Sequence, residues 1–510
     1  MSPLLHDLVV LSDLHLGRGK NSHTGRYFEL EAFFYDDDLR RFCAYLCDDA
    51  VARGVDFKLI FNGDAFDLLR REAGADPSPS DASPSARERR YGAPMTPQRA
   101  AAELREILAG HPDFVVGVAH VLAAGYEVIF LPGNHDLEIQ WPAVQHEIIA
   151  ALRAHLCQRA GEEAADTALR RLSFRPWFYY EPDRVWIEHG CQYDPENAFR
   201  YLLRSDLDDG EASLVAYEED MPLGNFFQRY LYNAFGHITF IVPSTRANGR
   251  YFKWLMVHQP RLLARVFVSH GRFWWQVMRR LAITAPEARR RLRDLHRAEL
   301  DRLAEGSGLG ERLYAIDALK VARGDIAQTV RALGWQILKD LLLVASLGLA
   351  VAGLWFAGFH AINQIASGFV LKAALFVLLN FCFVVAALVL IARSLLRAPP
   401  DPAARPLRRA ARQIAQRLGA PIVTFGHTHE EVLWRLDLPE GRVAWYFNTG
   451  TWIAVFTHDV LLPRDRIQYT FLRVEGHEAR LLHWSPGRGA ALPVILLDEH
   501  EPEAPPERAA

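Results

Sequence analysis

Asp, His and Asn side chains recur in this chain at short, fixed spacings: Asp13-Leu14-His15, Gly63-Asp64, Gly133-Asn134-His135-Asp136, His189-Gly190 and Gly426-His427-Thr428-His429. Together they offer oxygen and nitrogen donors without thiolates, which excludes a zinc-finger pattern and suits catalytic divalent cations. A carboxylate such as Asp64 has two oxygens and can bridge two cations. Two cations about 3.5–4 Å apart are the standard device for in-line displacement at phosphorus; they acidify a bound water and neutralise charge on the phosphoryl oxygens. Taken singly, each motif has a plain structural reading. Asp-x-His after a strand is a turn, Gly-Asn a left-handed turn, and a lone His189 a hydrogen-bonded core histidine. Their joint occurrence points to a metal site.

The elements that must position these residues are legible as short apolar runs directly before them, at 8–11, 57–61, 126–131, 184–187 and 421–425. Each is β-branched or aromatic and stopped by Gly or a polar turn, which reads as a buried strand. Donors at the carboxyl ends of such strands converge on one edge of a sheet, where open α/β folds place their sites. Residues 28–54 and 96–125 read as helices. Residues 73–98, rich in Pro, Ser, Ala and Gly, read as a mobile loop beside Asp64, either a lid or an inert insertion. After Gly419 the chain turns β-rich, with strands expected at 431–436, 443–447, 468–474 and 479–484.

Between the fourth and fifth motifs lies a long interruption. Leu341 to Phe359 carries no charge, and Ala373 to Ala392 is broken only by Asn380 and Cys382. Each run is about 20 residues, enough at about 1.5 Å per residue to span a hydrocarbon core. The reading is a transmembrane helical hairpin over 341–392; two buried helices in a large core are the alternative. Motifs on both sides must meet in one site, so the chain must return to the side it left. Arg331, Lys339, Arg393, Arg397 and Arg405 at the outer ends place both ends in the cytoplasm by the positive-inside bias. The expectation is a multi-pass protein of the inner (cytoplasmic) membrane with its site facing the cytoplasm. The helical stretch before the hairpin mixes arginines with Phe226, Phe227, Tyr230, Tyr232, Trp254, Phe273, Trp274 and Trp275. It reads either as a lipid-facing surface or as a solvated basic face over a local core.

The five motifs, in this order, resemble those of the calcineurin-like metallophosphoesterase superfamily: D-x-H, G-D, G-N-H-[DE], H-G and G-H-x-H. The resemblance covers roughly residues 6–195 and 418–485. It implies that Asp13, His15 and His429 hold one metal, that Asn134, His189 and His427 hold the other, and that Asp64 bridges them. His135 would act as a general acid, with Asp136 orienting it and Asp67 as a further supporting carboxylate. The segment Asn448-Thr449-Gly450-Thr451-Trp452 is similar to one that follows G-H-x-H in the family. Ser12 to Gly17 and a helical cap after His189-Gly190 resemble the UDP-2,3-diacylglucosamine hydrolases, from which the hairpin and the larger insertion depart.

The expected fold class is α/β, a two-sheet metallophosphoesterase sandwich flanked by helices and interrupted by a helical insertion with a two-helix transmembrane hairpin. Its parts are the first half of the catalytic domain (1–195), a cap (196–335), the hairpin (336–397), the second half (418–495) and a disordered tail (496–510). The implied activity is hydrolysis of a phosphoester or pyrophosphate bond by a metal-activated hydroxide. Two divalent ions, Mn first and Fe, Zn, Co or Mg as alternatives, would act on a phosphorylated, lipid-linked substrate. Alternatives are a phosphodiesterase or phosphatase acting on a soluble nucleotide or phosphoprotein, and a non-catalytic tethered interaction protein. A net charge of −3 over 510 residues gives no case for nucleic acid. Cys43, Cys47, Cys157, Cys191 and Cys382 are irregularly spaced and read as reduced thiols. His6, His23, His146 and His237 read as surface or packing histidines, His23 being the one to watch because it follows Gly17-Arg18-Gly19 close to the first motif. The sequence sets no oligomeric state.

Overall fold

The computed structural model describes residues 6–21, 24–70, 95–204, 220–230, 233, 240–242, 261, 290–321, 326–366, 368–396, 404–457, 460–461 and 467–494. Strands β1 (Asp7–Leu11), β2 (Phe57–Asn62), β3 (Glu127–Leu131) and β4 (Leu172–Phe174) run parallel, and the first three are buried along most of their length, as parallel strands with covered faces are. Strands β5 (Phe178–Glu181) and β6 (Val185–Glu188) begin a second sheet. β7 (Phe240–Val242) belongs to a small third sheet with β11 (Val455–Thr457) and β12 (Val460–Leu461). β8 (Ile422–Phe425), β9 (Glu431–Asp437) and β10 (Val443–Thr449) complete the second sheet in the order β5-β6-β8-β10-β9. β13 (Thr470–Glu475), β14 (Glu478–Ser485) and β15 (Ala490–Pro493) extend the first sheet antiparallel from β1.

Side-chain alternation fixes the layers. Leu8, Val10, Ile60, Ile129 and Leu131 of the first sheet pack on Val185, Ile187, Ile422 and Phe447 of the second. The opposite side chains of the first sheet, Val9, Leu11, Leu59, Phe61 and Phe130, meet Phe42, Leu46, Phe114 and Val118 of flanking helices. At about 1.5–3 kcal/mol per fully buried large apolar side chain, a one-residue slip of β1 would forfeit both interfaces. Both sheets are mixed, and the class is α/β as expected.

Helix α1 (Asp36–Arg53) opens with three aspartates and ends at Gly54, whose φ of 64° closes the C-cap. The helix expected over 28–54 starts eight residues later because Glu31 ties the preceding segment into a loop. Its carboxylate accepts the backbone N–H of Gly17 (3.1 Å), Ala32 (2.9 Å) and Phe33 (2.8 Å). The single helix expected over 96–125 is two, α2 (Pro97–Gly110) and α3 (Pro112–Ala123). Pro112 cannot donate to the preceding turn and restarts the helix as its first residue. α4 (Pro142–Ala160) and, in the insertion, α5 (Leu223–Tyr230) follow. Of the loop expected over 73–98, residues 73–94 lie outside the described residues, as do Tyr232, Trp254, Phe273, Trp274, Trp275, His23, His237 and the tail.

The two uncharged runs lie in helices α6 (Ile326–Gln364) and α7 (Phe369–Leu396). They form a unit of their own, Ala327–Asp401, apart from Met1–Ile326 with Pro402–Ala510. Trp355 and Phe359 of α6 meet Phe376 of α7, and Trp355 Nε1 donates to Asn380 Oδ1 at 3.3 Å. Among the described residues, however, no helix is long and apolar enough to cross a membrane. That finding overturns the expected transmembrane hairpin over 341–392 and, with it, the multi-pass placement in an inner membrane. An uncharged run makes a helix apolar but does not name the surroundings that cover it; here part of the apolar surface faces the neighbouring helix, and the one polar residue of the second run sits in that contact. The last helix, α8 (Ala404–Leu418), packs Ala411, Ile414 and Ala415 on the outer face of the second sheet beside Val423 and Phe425.

His111, at the α2–α3 junction, lies 2.7 Å from Asp36 and 3.4 Å from Glu31. Burial disfavours its charge, but the two carboxylates outweigh burial and raise its pKa to about 9. A histidine raised in the folded state contributes stability that is complete below its unfolded pKa near 6.5 and lost as pH rises through the folded value. The chain should therefore lose up to about 3 kcal/mol between pH 6.5 and above pH 9, seen as a falling urea midpoint. His111→Gln should remove that slope; an unaltered slope would assign it to other groups.

Candidate metal centre

Register brings the motifs together before any side chain is considered. Leu11 pairs with Phe61 and Phe61 with Phe130, so Asp13, Asp64 and Asn134 leave the first sheet at one edge. Ile187 pairs with Thr424, so His189 and His427 leave the second sheet side by side. The backbone then turns sharply. Asp13, His15, Asp64, His427 and His429 all have positive φ, between 51° and 75°. Non-glycine residues seldom adopt this conformation, at a cost of order 1–3 kcal/mol each, and they persist where function requires a side chain aimed against its local preference.

The motif glycines are gaps for ligands from other motifs. A Cβ on Gly133 would collide with the Asp64 carboxylate, one on Gly63 with the His189 ring, and one on Gly426 with Ser12 and Asp13. Each glycine thus admits a donor from a separate strand.

The donors form two groups that meet at Asp64. In the first, His429 Nε2 lies 3.2 Å from Asp13 Oδ1 and 3.0 Å from His15 Nε2. In the second, His189 Nε2 lies 3.3 Å from Asp64 Oδ2 and 3.3 Å from Asn134 Oδ1, with the His427 ring centroid 5.3 Å from that of His189. His15 Nε2 is 3.8 Å from the same Asp64 Oδ2. Two buried sets, Asp13/His15/His429 and Asp64/His189/His427, could each hold a metal ion.

Hydrogen bonds set the histidine tautomers that such binding requires. His189 Nδ1 donates to the Asn62 carbonyl at 2.9 Å, leaving the Nε2 lone pair toward Asp64. His427 Nε2 donates to Asp194 Oδ2 at 2.9 Å, leaving Nδ1 as its ligating atom. Asp13 Oδ1 is buried and accepts no hydrogen bond. A buried carboxylate oxygen without a donor, beside converging imidazole nitrogens, fits a cation.

Electrostatics agree. Burial opposes the charge of Asp64, but His189, His135 and His15 outweigh it and hold the carboxyl well below its ordinary range. Burial likewise opposes Asp13, which His429 and His189 hold down. His189 is raised to about 10: burial opposes its charge, and Asp64 and Asp13 prevail. The field that protonates His189 is the field that would draw a divalent cation in its place. His15 is pushed down to about 4 by burial, with Asp67 offsetting part, so its imidazole is neutral near pH 7.

His135 and Asp136 take roles that their adjacency concealed. His135 is about 12% exposed, and its Nδ1 lies 3.0 Å from Asp67 Oδ1. Asp136 does not orient it. The Asp136 carboxylate instead accepts the backbone N–H of Asp64 (3.1 Å), Ala65 (2.8 Å), Phe66 (3.2 Å) and Gly133 (2.6 Å), pinning the turn that carries Asp64. Asp67, the further carboxylate noted from sequence, is the group that holds His135, and it also lies 3.5 Å from His15 Nδ1.

Other supports come from Asp194 and Asn225, which carry no sequence signature, and from the Asn448 to Trp452 segment, which does. Asp194 holds His427. Thr451 Oγ1 donates to the Asp13 carbonyl at 2.6 Å, Asn448 Nδ2 to the Gly426 carbonyl at 2.5 Å, and the His427 N–H to Asp13 Oδ2 at 2.9 Å. The Asn448 to Trp452 segment thus locks the first and last motifs together. Asn225, from the insertion, touches Asn134. Of the histidines set aside, His6 pairs with Glu181 at 2.7 Å and His146 is exposed; neither joins the centre. No family model matches the chain, and no curated protein matches it.

Gly133→Ala should therefore fold but bind divalent cations at least about tenfold more weakly, since ligand supports typically contribute 10–100-fold. Gly487→Ala, where a Cβ meets nothing, is the control. Equal cation affinity in the two variants, measured by calorimetry, would refute the steric argument.

Proposed function

We propose that the chain is a dimetal phosphoesterase of the calcineurin-like metallophosphoesterase type, hydrolysing a phosphoester or pyrophosphate bond. The observation that carries this reading is the place of Asp64. One of its oxygens lies between His15 and His189, the other accepts the His135 backbone N–H at 2.8 Å, and both donor groups converge on it. In this reading Asp13, His15 and His429 hold one divalent ion, Asn134, His189 and His427 the second, and Asp64 both, with manganese the first choice for this donor set. When bound, such ions supply Lewis acidity, neutralising charge on the phosphoryl oxygens and acidifying water.

The remaining work falls to His135. Burial opposes its charge, but Asp67 and then Asp64 raise its pKa above the ordinary histidine value. It therefore stays protonated to higher pH, with Nδ1 held by Asp67. From there it gives a proton to the leaving oxygen as the P–O bond opens. Partial exposure at the edge of an otherwise buried cluster suits the one side chain that must meet substrate. The same geometry accepts esters and pyrophosphates alike. Without a membrane anchor, a lipid-linked substrate rests on the resemblance to the UDP-2,3-diacylglucosamine hydrolases alone.

His135→Gln should lower kcat by about 10²–10⁴, the usual share of a general acid, while retaining bound cations; loss of the cations would assign His135 to holding them. Asp67→Asn removes the leading cause of the raised pKa and should move the alkaline fall of kcat to lower pH. An unmoved limb would show that Asp67 does not set it. The reading as a whole is tested with Mn²⁺-loaded protein on a phosphodiester, a phosphomonoester, a cyclic dinucleotide and a pyrophosphate diester. Full cation occupancy with no turnover of any of them would favour the non-catalytic alternative.

A further inference from the structure

Among the described residues the insertion touches the ligand Asn134 through Asn225, and that contact assigns it a role. Asn225, on α5, is buried, and so is Asn134. The two amides pair: Asn134 Nδ2 donates to Asn225 Oδ1 at 3.2 Å, and Asn225 Nδ2 donates to the Asn134 carbonyl at 2.7 Å. An asparagine can ligate a cation only through its amide oxygen, because the NH2 group has no lone pair to give. A flip of the Asn134 amide would turn NH2 toward His189 and set its oxygen against the oxygen of Asn225. The pairing forbids that flip and leaves Asn134 Oδ1 facing His189 Nε2 at 3.3 Å.

The same helix bears on a second ligand. Gly224 N–H donates to the Glu196 carbonyl at 2.9 Å, and Gly224 lies so close to Asn197 that a Cβ there would collide with its side chain. Asn197 Nδ2 donates to Asp194 Oδ2 at 2.7 Å, the same oxygen that accepts from His427. The start of α5 therefore braces Asn134 directly and His427 through Asn197 and Asp194. Both belong to the second donor group, and none of these contacts involves Asp13, His15 or His429.

We infer that α5 is a positioning element for the second cation, with Asn225 fixing the Asn134 amide in its ligating orientation. The inference rests on the dimetal reading above. It makes the insertion part of the metal centre, and occupancy of the second position reports whether α5 is seated.

The test is calorimetric titration of the full chain with Mn²⁺, which needs no substrate. Asn225→Ala should weaken one of two cation sites about 10–100-fold, the usual effect of a ligand's hydrogen-bond partner, and leave the other unchanged. Asn225→Asp, which keeps an acceptor for Asn134 Nδ2, should recover part of that loss. In an Asn134→Ala background, Asn225→Ala should add nothing; a further loss of the same size would show that Asn225 acts through the fold at large and overturn the inference. Two native-like sites in Asn225→Ala would overturn the inference and leave the dimetal reading intact. A native chain that takes up no divalent ion would overturn both, whereas two bound ions without phosphoester turnover would overturn only the phosphoesterase reading.

Discussion

A carboxylate buried between two groups of imidazoles is the constraint around which this fold is arranged. Asp64 has almost no contact with solvent, and an isolated charge in such a place is prohibitively costly. It is retained because every neighbour answers it: the His135 backbone N–H, the rings of His189 and His15, and the turn held by Asp136. The energetic problem continues outward, since Asp13, Asp67 and Asp136 are also buried. Burial and repulsion from Asp64 raise Asp136 to about 7, while its four backbone donors pull the other way. Four carboxylates this close are held apart by backbone donors and imidazoles, and bound cations would complete the balance of charge.

The second demand is steric. Donors from five strands must meet in a space with room for few atoms, and parallel register alone delivers only their Cα positions. The final approach uses left-handed backbone at five donors and an absent Cβ at Gly63, Gly133 and Gly426. That strain is recovered elsewhere, in the two-faced burial of β1, β2 and β3, which are fixed on both sides and cannot relax to relieve it. A sheet free on one face would offer less resistance.

Much of this was legible in sequence. The strands announced themselves because apolar runs of four to six residues ended in polar motifs, though these converge from two sheets, β1, β2 and β3 in the first and β6 and β8 in the second, and not from one sheet edge. What was missed depended on contacts that no local pattern encodes. The resemblance implies that Asp136 orients His135, yet consecutive side chains leave a turn in different directions, and Asp67 is the residue that arrives. Asp194 and Asn225 are ordinary polar residues until the fold sets them against His427 and Asn134. Glu31 drew no notice, and its capture of backbone donors is why α1 starts late. The hairpin reading rests on two uncharged runs with cations at their outer ends, and neither feature distinguishes what covers an apolar helix.

The most direct measurement is electron paramagnetic resonance of the chain titrated with Mn²⁺, alongside Asp64→Asn. If Asp64 bridges two cations, as proposed, the chain takes up two ions and gives the spectrum of an exchange-coupled pair, as for ions about 3.5–4 Å apart, with the coupling lost when Asp64 is changed. Two uncoupled ions, a single ion at saturation, or a coupled pair indifferent to Asp64 would contradict it.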